Sequence, residues 1–418
     1  MSAIETPAKS ATNATPTLRK YLETQRDAML EFVRGLVNIE SYATQVGGTN
    51  AVGDKLCGAL ESDGFATERV RGAPLAPERK WLEEFMLPDF DRTQLGFQRV
   101  ARWSGNGHGR ALILGDLDTA FVPGKGFPFS IDGDLALGPG IADMKGGLTV
   151  AVYALKALQA TGLNNLKEIT CVFSSDEQGG SLDARKPTED AAAHSDWVFC
   201  MECAREGGKL MGSRAQIGVA KLEVFGRDAH AGSAYAKGIS AIEAMARKVQ
   251  AIHALTDPSR EIYLCVGQIS GGWRRSVIPG YCMCTIDIRT PGPEAWNEVE
   301  SKLREIAARV ELPGSHSKFL IDSHRPGLPW TEKTDKLIGI AKQVGAEFGL
   351  DFGVLRSPAA GSSAFVGPMD LPCLDGMGPM GGDLMTTNEH IVISSMVERA
   401  TLLAATLHKL GAGAWDKA

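Results

Sequence analysis

The sequence predicts an α/β protein with a mainly parallel central sheet and a second, smaller α+β domain inserted into it. Short apolar strand patterns alternate with helical patterns in the first half of the chain, which is typical of such sheets. The next segment has the order β-α-β-β-α-β, the order of a ferredoxin-like unit. Helical patterns then resume. We therefore predict a catalytic domain in two parts and an inserted domain, at 1–212, 328–418 and 213–327.

The predicted elements follow from apolar periodicity. Helical periods cover 17–41 and 49–64, whereas 72–98 lacks a period and is predicted to be a long loop. The sheet strands are predicted at 111–114, 169–173 and 197–201. The inserted domain has predicted strands at 219–225, 262–269, 281–289 and 318–322 and predicted helices at 240–255 and 293–310. The last helices are predicted at 332–348 and 394–410.

A glycine-rich stretch at 138–147, GPGIADMKGG, lies just before an apolar helical pattern that runs to about 160. Glycine lets the backbone turn sharply and approach its neighbours closely. The stretch carries one acid, Asp143. An acidic helix cap is the ordinary explanation for such a residue, so Asp143 gains weight only beside the other acids of the sheet.

Four further acids follow predicted strands, namely Asp116, Asp118, Glu177 and Glu202. Ligands of such sheets bind at the carboxyl ends of the strands. Carboxylates that meet there repel one another unless a cation is present, and oxygen ligands suit a hard ion such as Mn²⁺ or Mg²⁺. We therefore expect three metal ligands and one general base that acts on a metal-activated water: Asp116, Asp143 and Glu202 as ligands and Glu177 as the base. Helix caps paired with Lys145 and Arg185 are the alternative.

Bulk properties exclude several classes of function. The 418 residues carry a net charge of −6, whereas a nucleic-acid-binding protein should present a basic face. No apolar run approaches the roughly 20 residues that cross a bilayer. The first 19 residues lack the apolar segment of a signal peptide, so we expect a frayed tail and a cytoplasmic protein. Two cysteine pairs lie in strand-like runs and are expected to be reduced core residues: Cys200 with Cys203, and Cys282 with Cys284.

Together the motifs resemble those of the dinuclear metallopeptidases that include aminoacylases, glutamate carboxypeptidases and succinyl-diaminopimelate desuccinylase. The resemblance covers nearly the whole chain and follows the order of the family's motifs. The matching segments are GDLDT at 115–119, the loop at 138–147, DEQ at 176–178, Glu202, DAHAG at 228–232, VIP at 277–279 and DIR at 287–289.

The resemblance implies a role for each matching residue. Asp143 would be the bridging metal ligand, Glu202 a ligand of the first metal and Glu177 the general base. Asp118 would orient the ligand at 116. In the inserted lid domain, His230 would reach the substrate or its oxyanion, and Arg289 would bind a substrate carboxylate. Many members form homodimers through this domain, so we expect a homodimer here.

The sequence departs from the family pattern at the metal ligands. Asp116 stands where the family has histidine, and Gln178 stands where it has a glutamate of the second metal site. Near the C-terminus the family has a histidine four or five residues before a glutamate, whereas Leu384 and Met385 stand at these positions before Glu389. Since the second site has lost both of its own ligands, we predict one divalent ion, preferably Mn²⁺, with Zn²⁺ or Co²⁺ as alternatives.

The altered ligand set resembles that of family members that release ammonia from an aromatic amine such as 5-nitroanthranilate. A flat anionic substrate would suit stacking and charge from residues of the lid: Arg214, Trp273, Arg274 and Arg275. Ser276, which stands where the family has an asparagine, is a further expected substrate-binding residue. An exposed basic stretch is the alternative for these residues. Two other functions stay open, a carboxypeptidase or amidase for an N-acyl amino acid or dipeptide, and a non-catalytic binding homologue. In each case the partner is a small-molecule carboxylate, with no nucleic acid and no membrane.

Overall fold

A computed structural model describes residues 14–86 and 94–417, and contacts divide them into two compact units. The first unit contains the described residues up to Gly212, then Trp330–Leu355 and the described residues from Gly361 onward. The second unit contains Ser213–Pro329 and the short segment Arg356–Ala360. The first 13 residues of the predicted tail lie outside the described residues.

The helices and strands are numbered in chain order. The helices are α1 Ala14–Thr24, α2 Arg26–Val37, α3 Val46–Glu61, α4 Trp81–Met86, α5 Gly146–Thr161, α6 Arg185–Ala192, α7 Ala241–His253, α8 Pro293–Ala308, α9 Glu332–Ala346, α10 Ile393–Gly411 and α11 Ala414–Lys417. The strands are β1 Ala66–Val70, β2 Gln98–Ser104, β3 Arg110–Asp116, β4 Ser130–Asp132, β5 Leu135–Leu137, β6 Glu168–Ser174, β7 Trp197–Cys200, β8 Leu210–Arg214, β9 Gln216–Phe225, β10 Ala229–His230, β11 Tyr263–Gly271, β12 Val277–Ile278, β13 Tyr281–Thr290, β14 His316–Arg325, β15 Val354–Ser357, β16 Cys373–Leu374, β17 Gly381–Gly382 and β18 His390–Val392.

The first unit is built on a six-stranded sheet in the order β1-β2-β6-β3-β7-β16. The four strands β6, β3, β7 and β16 run parallel to one another, whereas β2 pairs antiparallel with β6 and β1 pairs antiparallel with β2 at one edge. The prediction of a mainly parallel sheet is confirmed. Strand β3 is buried over nearly its whole length because it lies between β6 and β7, with helices packed against the sheet. This burial is typical of a parallel sheet covered on both faces.

Three predictions in the first quarter of the chain are wrong in detail. The helix expected at 17–41 is two helices, α1 and α2, which are separated at Gln25. Helix α1 already begins at Ala14, so residues 14–19 are helical rather than frayed. The loop expected at 72–98 contains the short helix α4, in which the rings of Trp81 and Phe85 make an edge-to-face contact at 5.7 Å. A helix of 6 residues is too short to produce a recognisable period.

Helix α5 joins the glycine-rich stretch to the core of the first unit. Nearly every side chain from Gly146 to Leu158 is buried, since the helix packs against α1, α10 and the sheet. Its first turn passes so close to the end of β7 that a Cβ atom on Gly147 would lie 1.7 Å from the Met201 carbonyl oxygen. Only glycine permits this approach, which brings the start of α5 beside Glu202.

The second unit contains a four-stranded antiparallel sheet in the order β11-β13-β9-β14. Alternate side chains are buried along β13 and along β9 from Ala220 onward, and they pack with α7 and α8 in one apolar core. The main elements follow the order β-α-β-β-α-β, so the predicted inserted α+β domain is confirmed.

All eight cysteines carry free thiols, and seven of them are buried, including the two predicted pairs. No described helix is long and apolar enough to cross a bilayer.

The close approach at Gly147 generates a stability prediction. Gly147→Ala should lower the free energy of unfolding by roughly 1–3 kcal/mol, because the added methyl group overpacks against backbone. Denaturant unfolding followed by circular dichroism measures the change. Gly58→Ala is the control, since an added Cβ at this exposed position of α3 meets nothing within 4 Å. Equal stability of Gly147→Ala and the control would contradict the packing argument.

Candidate active site

The parallel strands bring several acids to one edge of the central sheet. Asp116 ends β3 and pairs in register with Ser174, the last residue of β6. Glu177 follows β6 by three residues, and Glu202 follows β7 by two. All three side chains are buried, with exposed fractions of 7% or less. The carboxyl ends of the strands therefore place these acids in one region, as expected for this class of sheet.

Asp143 lies on the tight turn Ile141–Lys145 just before α5. The buried carboxylate of Glu389 supports this turn, because its Oε1 accepts hydrogen bonds from the backbone amides of Ala142 at 2.9 Å and Asp143 at 3.1 Å. Its Oε2 accepts from the amide of Met385 at 3.1 Å. Glu389 was not among the predicted site residues. It supports the Asp143 turn from a distant part of the chain, and only its place near the family's C-terminal motif hinted at this.

Asp118 holds the turn that carries Glu177. Its Oδ1 accepts a hydrogen bond from the Glu177 amide at 3.0 Å, and its Oδ2 accepts from the Gln178 amide at 2.8 Å. Two backbone amides and a buried carboxylate form a strong, charge-assisted arrangement. The side chain of Asp118 therefore fixes the position of the proposed base.

Gln178 lies beside Asp143, in the position where the family resemblance expects a glutamate. Its Nε2 is 3.3 Å from Oδ1 and 3.2 Å from Oδ2 of Asp143, within hydrogen-bonding distance of both oxygens. A glutamate here would add a negative charge, whereas the amide supplies a neutral donor to the Asp143 carboxylate.

Asp116 is fully buried and differently supported on its two oxygens. The hydroxyl of Ser362 donates to Oδ1 at 2.7 Å. Among the described residues, Oδ2 has no hydrogen-bond partner. A buried carboxylate oxygen without a donor is costly, and this atom is suited to bind a cation.

Burial and mutual repulsion perturb the acids of this site. Burial, reinforced by the charges of Glu177 and Glu202, raises the pKa of Asp116 well above its usual value. Burial followed by the charges of Glu202 and Glu177 does the same to the pKa of Asp143. These mutual effects show that the carboxylates interact, and a divalent cation would relieve both the burial cost and the repulsion.

Lys145 and Arg185 are the ion-pair partners that the alternative explanation assigns to the acids. Lys145 donates from Nζ to the Ile39 carbonyl oxygen at 2.7 Å, and burial lowers its pKa to about 7. Arg185 donates from Nε to Glu189 at 2.7 Å. Neither of these hydrogen bonds involves Asp116, Asp143 or Glu202.

The donor chemistry of the site suits a divalent ion, although the side chains are not already closed around one position. In the described part of the chain, no group of three or more His, Cys, Asp or Glu side chains is arranged to hold an ion. The buried Asp116 Oδ2 and the interacting carboxylates nevertheless fit a hard cation with oxygen ligands. Asp116, Asp143 and Glu202 remain the predicted ligands.

The second unit carries the other predicted site residues. His230 ends β10, and its Nδ1 accepts hydrogen bonds from the backbone amides of Gly232 at 3.1 Å and Ser233 at 3.2 Å. In the neutral ring the proton is therefore on Nε2, so the exposed imidazole offers an N–H donor. The Ala231 amide donates to the Ser276 carbonyl oxygen at 2.9 Å, which places Ser276 beside this turn.

The predicted substrate-binding arginines differ in their surroundings. Arg289 donates from Nε to Asp287 at 2.9 Å and from Nη1 to the Pro358 carbonyl oxygen at 3.1 Å. Arg214 is buried, donates to the Ala360 carbonyl oxygen at 2.8 Å, and lines a cavity of about 250 Å³. Arg275 is exposed on the turn after β11. Arg214 is therefore buried, whereas Arg275, which was predicted to act with it, lies on an exposed turn.

Comparison with known proteins identifies the family. Residues 112–409 match the model of a protein family that is described as "Peptidase family M20/M25/M40". The chain belongs to this family. It is 27% identical over 394 residues to carboxypeptidase G2 of Pseudomonas sp. (strain RS-16), and the match covers 93% of this chain and 91% of that protein.

Solved structures agree with the fold. The aminopeptidase PepT of Bacillus cereus superposes with a TM-score of 0.72 at 17% identity and covers 92% of this chain and 98% of its own. The YXEP protein of Bacillus subtilis, described as a dinuclear metal binding peptidase from the M20 family, superposes with a TM-score of 0.67 at 15% identity, over 93% and 99% of the two chains. The predicted resemblance is confirmed, and the protein is a metal-dependent hydrolase that acts on C–N bonds.

The contacts of Asp118 generate a kinetic prediction. Asp118→Ala should lower kcat about 100-fold, because a turn that loses two buried acceptors no longer holds Glu177 in place. Steady-state kinetics and metal titration measure kcat and metal affinity separately. Asp134→Ala is the control, since this exposed carboxylate also accepts a backbone amide hydrogen bond, from Ser394. If the variant binds less metal but keeps the wild-type kcat per bound ion, Asp118 supports the metal ligand Asp116 rather than the base Glu177.

Proposed function

We propose that the protein hydrolyses the C–N bond of an aromatic amine and releases ammonia, with 5-nitroanthranilate as the expected substrate. The contact between the Gln178 amide and the Asp143 carboxylate carries this proposal. It puts a neutral donor where a second metal site would need a negative ligand. The site is therefore suited to one divalent ion, preferably Mn²⁺, held by Asp116, Asp143 and Glu202.

A single ion changes which reactions the site favours. When bound, the ion would polarise the substrate and make a water molecule more acidic. Amide hydrolysis concentrates negative charge on one carbonyl oxygen, which needs strong local stabilisation. In 5-nitroanthranilate the charge spreads over the ring into the nitro group opposite the amine. The substrate itself thus supplies stabilisation that a second ion would otherwise provide.

Glu177 is the proposed general base. It follows β6 closely, its backbone amide is held by Asp118, and its charge acts on both Asp116 and Asp143. Its carboxylate takes a proton from water as the water oxygen bonds to the ring carbon that bears the amine. The carboxyl group then returns that proton to the nitrogen as the C–N bond breaks. Water and the aromatic amine are thus converted into a phenol and ammonia.

Groups of the second unit supply the proposed substrate contacts. The Nε2–H of His230 is available as a donor to a developing negative charge. Arg289, Arg214 and Arg275 provide positive charge for the substrate carboxylate, and Ser276 adds a polar group beside the His230 turn. Arg289 is half-exposed, whereas Arg214 is buried, so Arg289 is the better placed of these two for a ligand from solution.

The second candidate function is hydrolysis of an N-acyl amino acid or dipeptide. The similarity to carboxypeptidase G2 over 93% of the chain favours it. The two candidates differ in substrate and in metal count. Turnover of a panel of amino-aromatic acids and N-acyl amino acids, with Mn²⁺ added, decides between them. Ammonia release from 5-nitroanthranilate supports the first candidate, and cleavage of the acyl substrates alone overturns it.

We also propose that the protein forms a homodimer through the second unit. Strand β11 lies at the edge of its sheet, and Tyr263–Gly271 contains no charged residue and no proline. The edge therefore lacks the charges and prolines that discourage pairing with another strand, and its one irregularity is a register shift between Val266 and Gln268. Ile269 is 57% exposed on it, so a second copy would cover both apolar side chains and backbone groups.

The metal site generates the first prediction of this section. Elemental analysis after loading with Mn²⁺ and dialysis should give about one ion per chain, by the count of available ligands. Asp116→His should shift the preference toward zinc, because imidazole suits zinc better than manganese. The exposed Asp134→His is the control and should keep the preference for manganese. Two tightly bound ions per chain would contradict the single-ion site.

Glu177 generates the second prediction. Glu177→Gln should lower turnover by roughly 10²–10⁴, the usual contribution of general acid–base catalysis, with metal content unchanged. Glu168→Gln, at the opposite end of β6, is the control and should keep normal turnover. Loss of metal from Glu177→Gln would make this residue a ligand, and normal turnover would remove it from the mechanism.

The edge strand generates the third prediction. Light scattering of the intact protein should give the mass of a dimer, and Ile269→Lys should give a monomer because the charge interrupts the strand pairing. Val310→Lys is the control, since Val310 is 62% exposed but lies outside β11. A monomeric wild-type protein would rule out the dimer.

A further inference from the structure

We propose that Ser362 is a positioning residue that presents one oxygen of Asp116 to the metal ion. This inference rests on the proposed metal site and goes beyond it, because Ser362 belongs to none of the sequence motifs. It lies in a short helical segment, Ser362–Met369, far along the chain from Asp116. Both residues are buried, with exposed fractions of 4% and 0%.

The geometry assigns different tasks to the two oxygens of Asp116. The Ser362 hydroxyl donates to Oδ1 at 2.7 Å, an ideal distance for such a bond. Within the described residues, Oδ2 is buried without a partner. The hydrogen bond fixes the rotation of the carboxylate and leaves Oδ2 as the oxygen available to a cation. Groups that hold metal ligands in this way usually affect affinity because they set ligand orientation.

The identity of residue 116 makes this support necessary. A histidine ligand is a rigid ring that coordinates through one nitrogen, whereas a carboxylate rotates and has two equivalent oxygens. The neighbouring charges of Glu177 and Glu202 act on Asp116 as well. A hydroxyl donor stabilises the ionised form of Asp116 and removes its freedom to rotate. Ser362 thereby adapts a position occupied by histidine in the family pattern to a carboxylate ligand.

The neighbouring Ser363 provides a matched comparison within the chain. It is also buried in the same helical segment, and its hydroxyl also donates to a buried aspartate, Asp375. Asp375 accepts a further hydrogen bond from the backbone amide of Gly376 at 2.5 Å. Asp375 is not a predicted ligand. Ser362 and Ser363 thus make the same kind of hydrogen bond, but only one of these bonds reaches the proposed metal site.

The experiment measures Mn²⁺ affinity of the metal-free, full-length protein by isothermal titration, independently of activity. Ser362→Ala should raise the Kd for Mn²⁺ by about 10–100-fold, the usual effect of losing a group that orients a ligand. Ser362→Thr keeps the hydroxyl and should restore an affinity close to that of the wild type. Ser363→Ala should lower the midpoint of thermal unfolding but leave the Kd unchanged.

Two results overturn the proposal. One is a wild-type Kd in Ser362→Ala, and the other is an equal loss of affinity in Ser363→Ala, which would show general loosening of the segment. If Ser362→Ala does not fold, Ser362→Cys keeps the size but weakens the donor, and an unchanged Kd there also overturns the proposal. Asp116→Ala separates this inference from the proposed function. If that variant binds Mn²⁺ with wild-type affinity, Asp116 is not a metal ligand. If it loses affinity, Asp116 is a metal ligand whatever the result for Ser362.

Discussion

Repulsion among buried carboxylates is the constraint on which the first unit depends. Asp116, Asp118 and Asp143 are all buried at one edge of the sheet, together with Glu177 and Glu202. Acids in such surroundings must be compensated by donors or by a cation. Backbone amides support Asp118 and Glu389, a hydroxyl supports Asp116, and an amide side chain supports Asp143. The sheet and its connecting loops place these donors.

Close backbone packing makes this arrangement possible. Gly147 lets the first turn of α5 lie against the end of β7, and Gly140 adopts a φ of 70° at the start of the Asp143 turn. A larger residue at either position would collide with its neighbours or strain the backbone. The glycine-rich stretch therefore acts through packing: it brings Asp143 from a loop to the strand ends that carry Asp116 and Glu202.

Proteins that share this fold can differ at their functional sites. Solved structures with 15% and 17% sequence identity share most of its architecture, and the fold itself does not determine the substrate. The informative changes lie at a few positions. By the family pattern that the motifs resemble, Asp116 stands in place of a neutral ring, and Gln178 stands in place of a carboxylate. Both changes alter the charge of the site while its backbone framework remains that of the family.

The sequence by itself determined the fold class, the buried strands and the acids that follow them. Period-two and period-3.6 patterns are local properties, and strand ends of a parallel sheet meet at one edge whatever the loops do. Local patterns were insufficient for the break at Gln25 and for the short helix α4. Only the tertiary structure brought Ser362 to Asp116 and Glu389 to the Asp143 turn. These pairs are separated by 246 residues in each case, and a hydrogen bond between such distant residues depends on chain packing that no local pattern records.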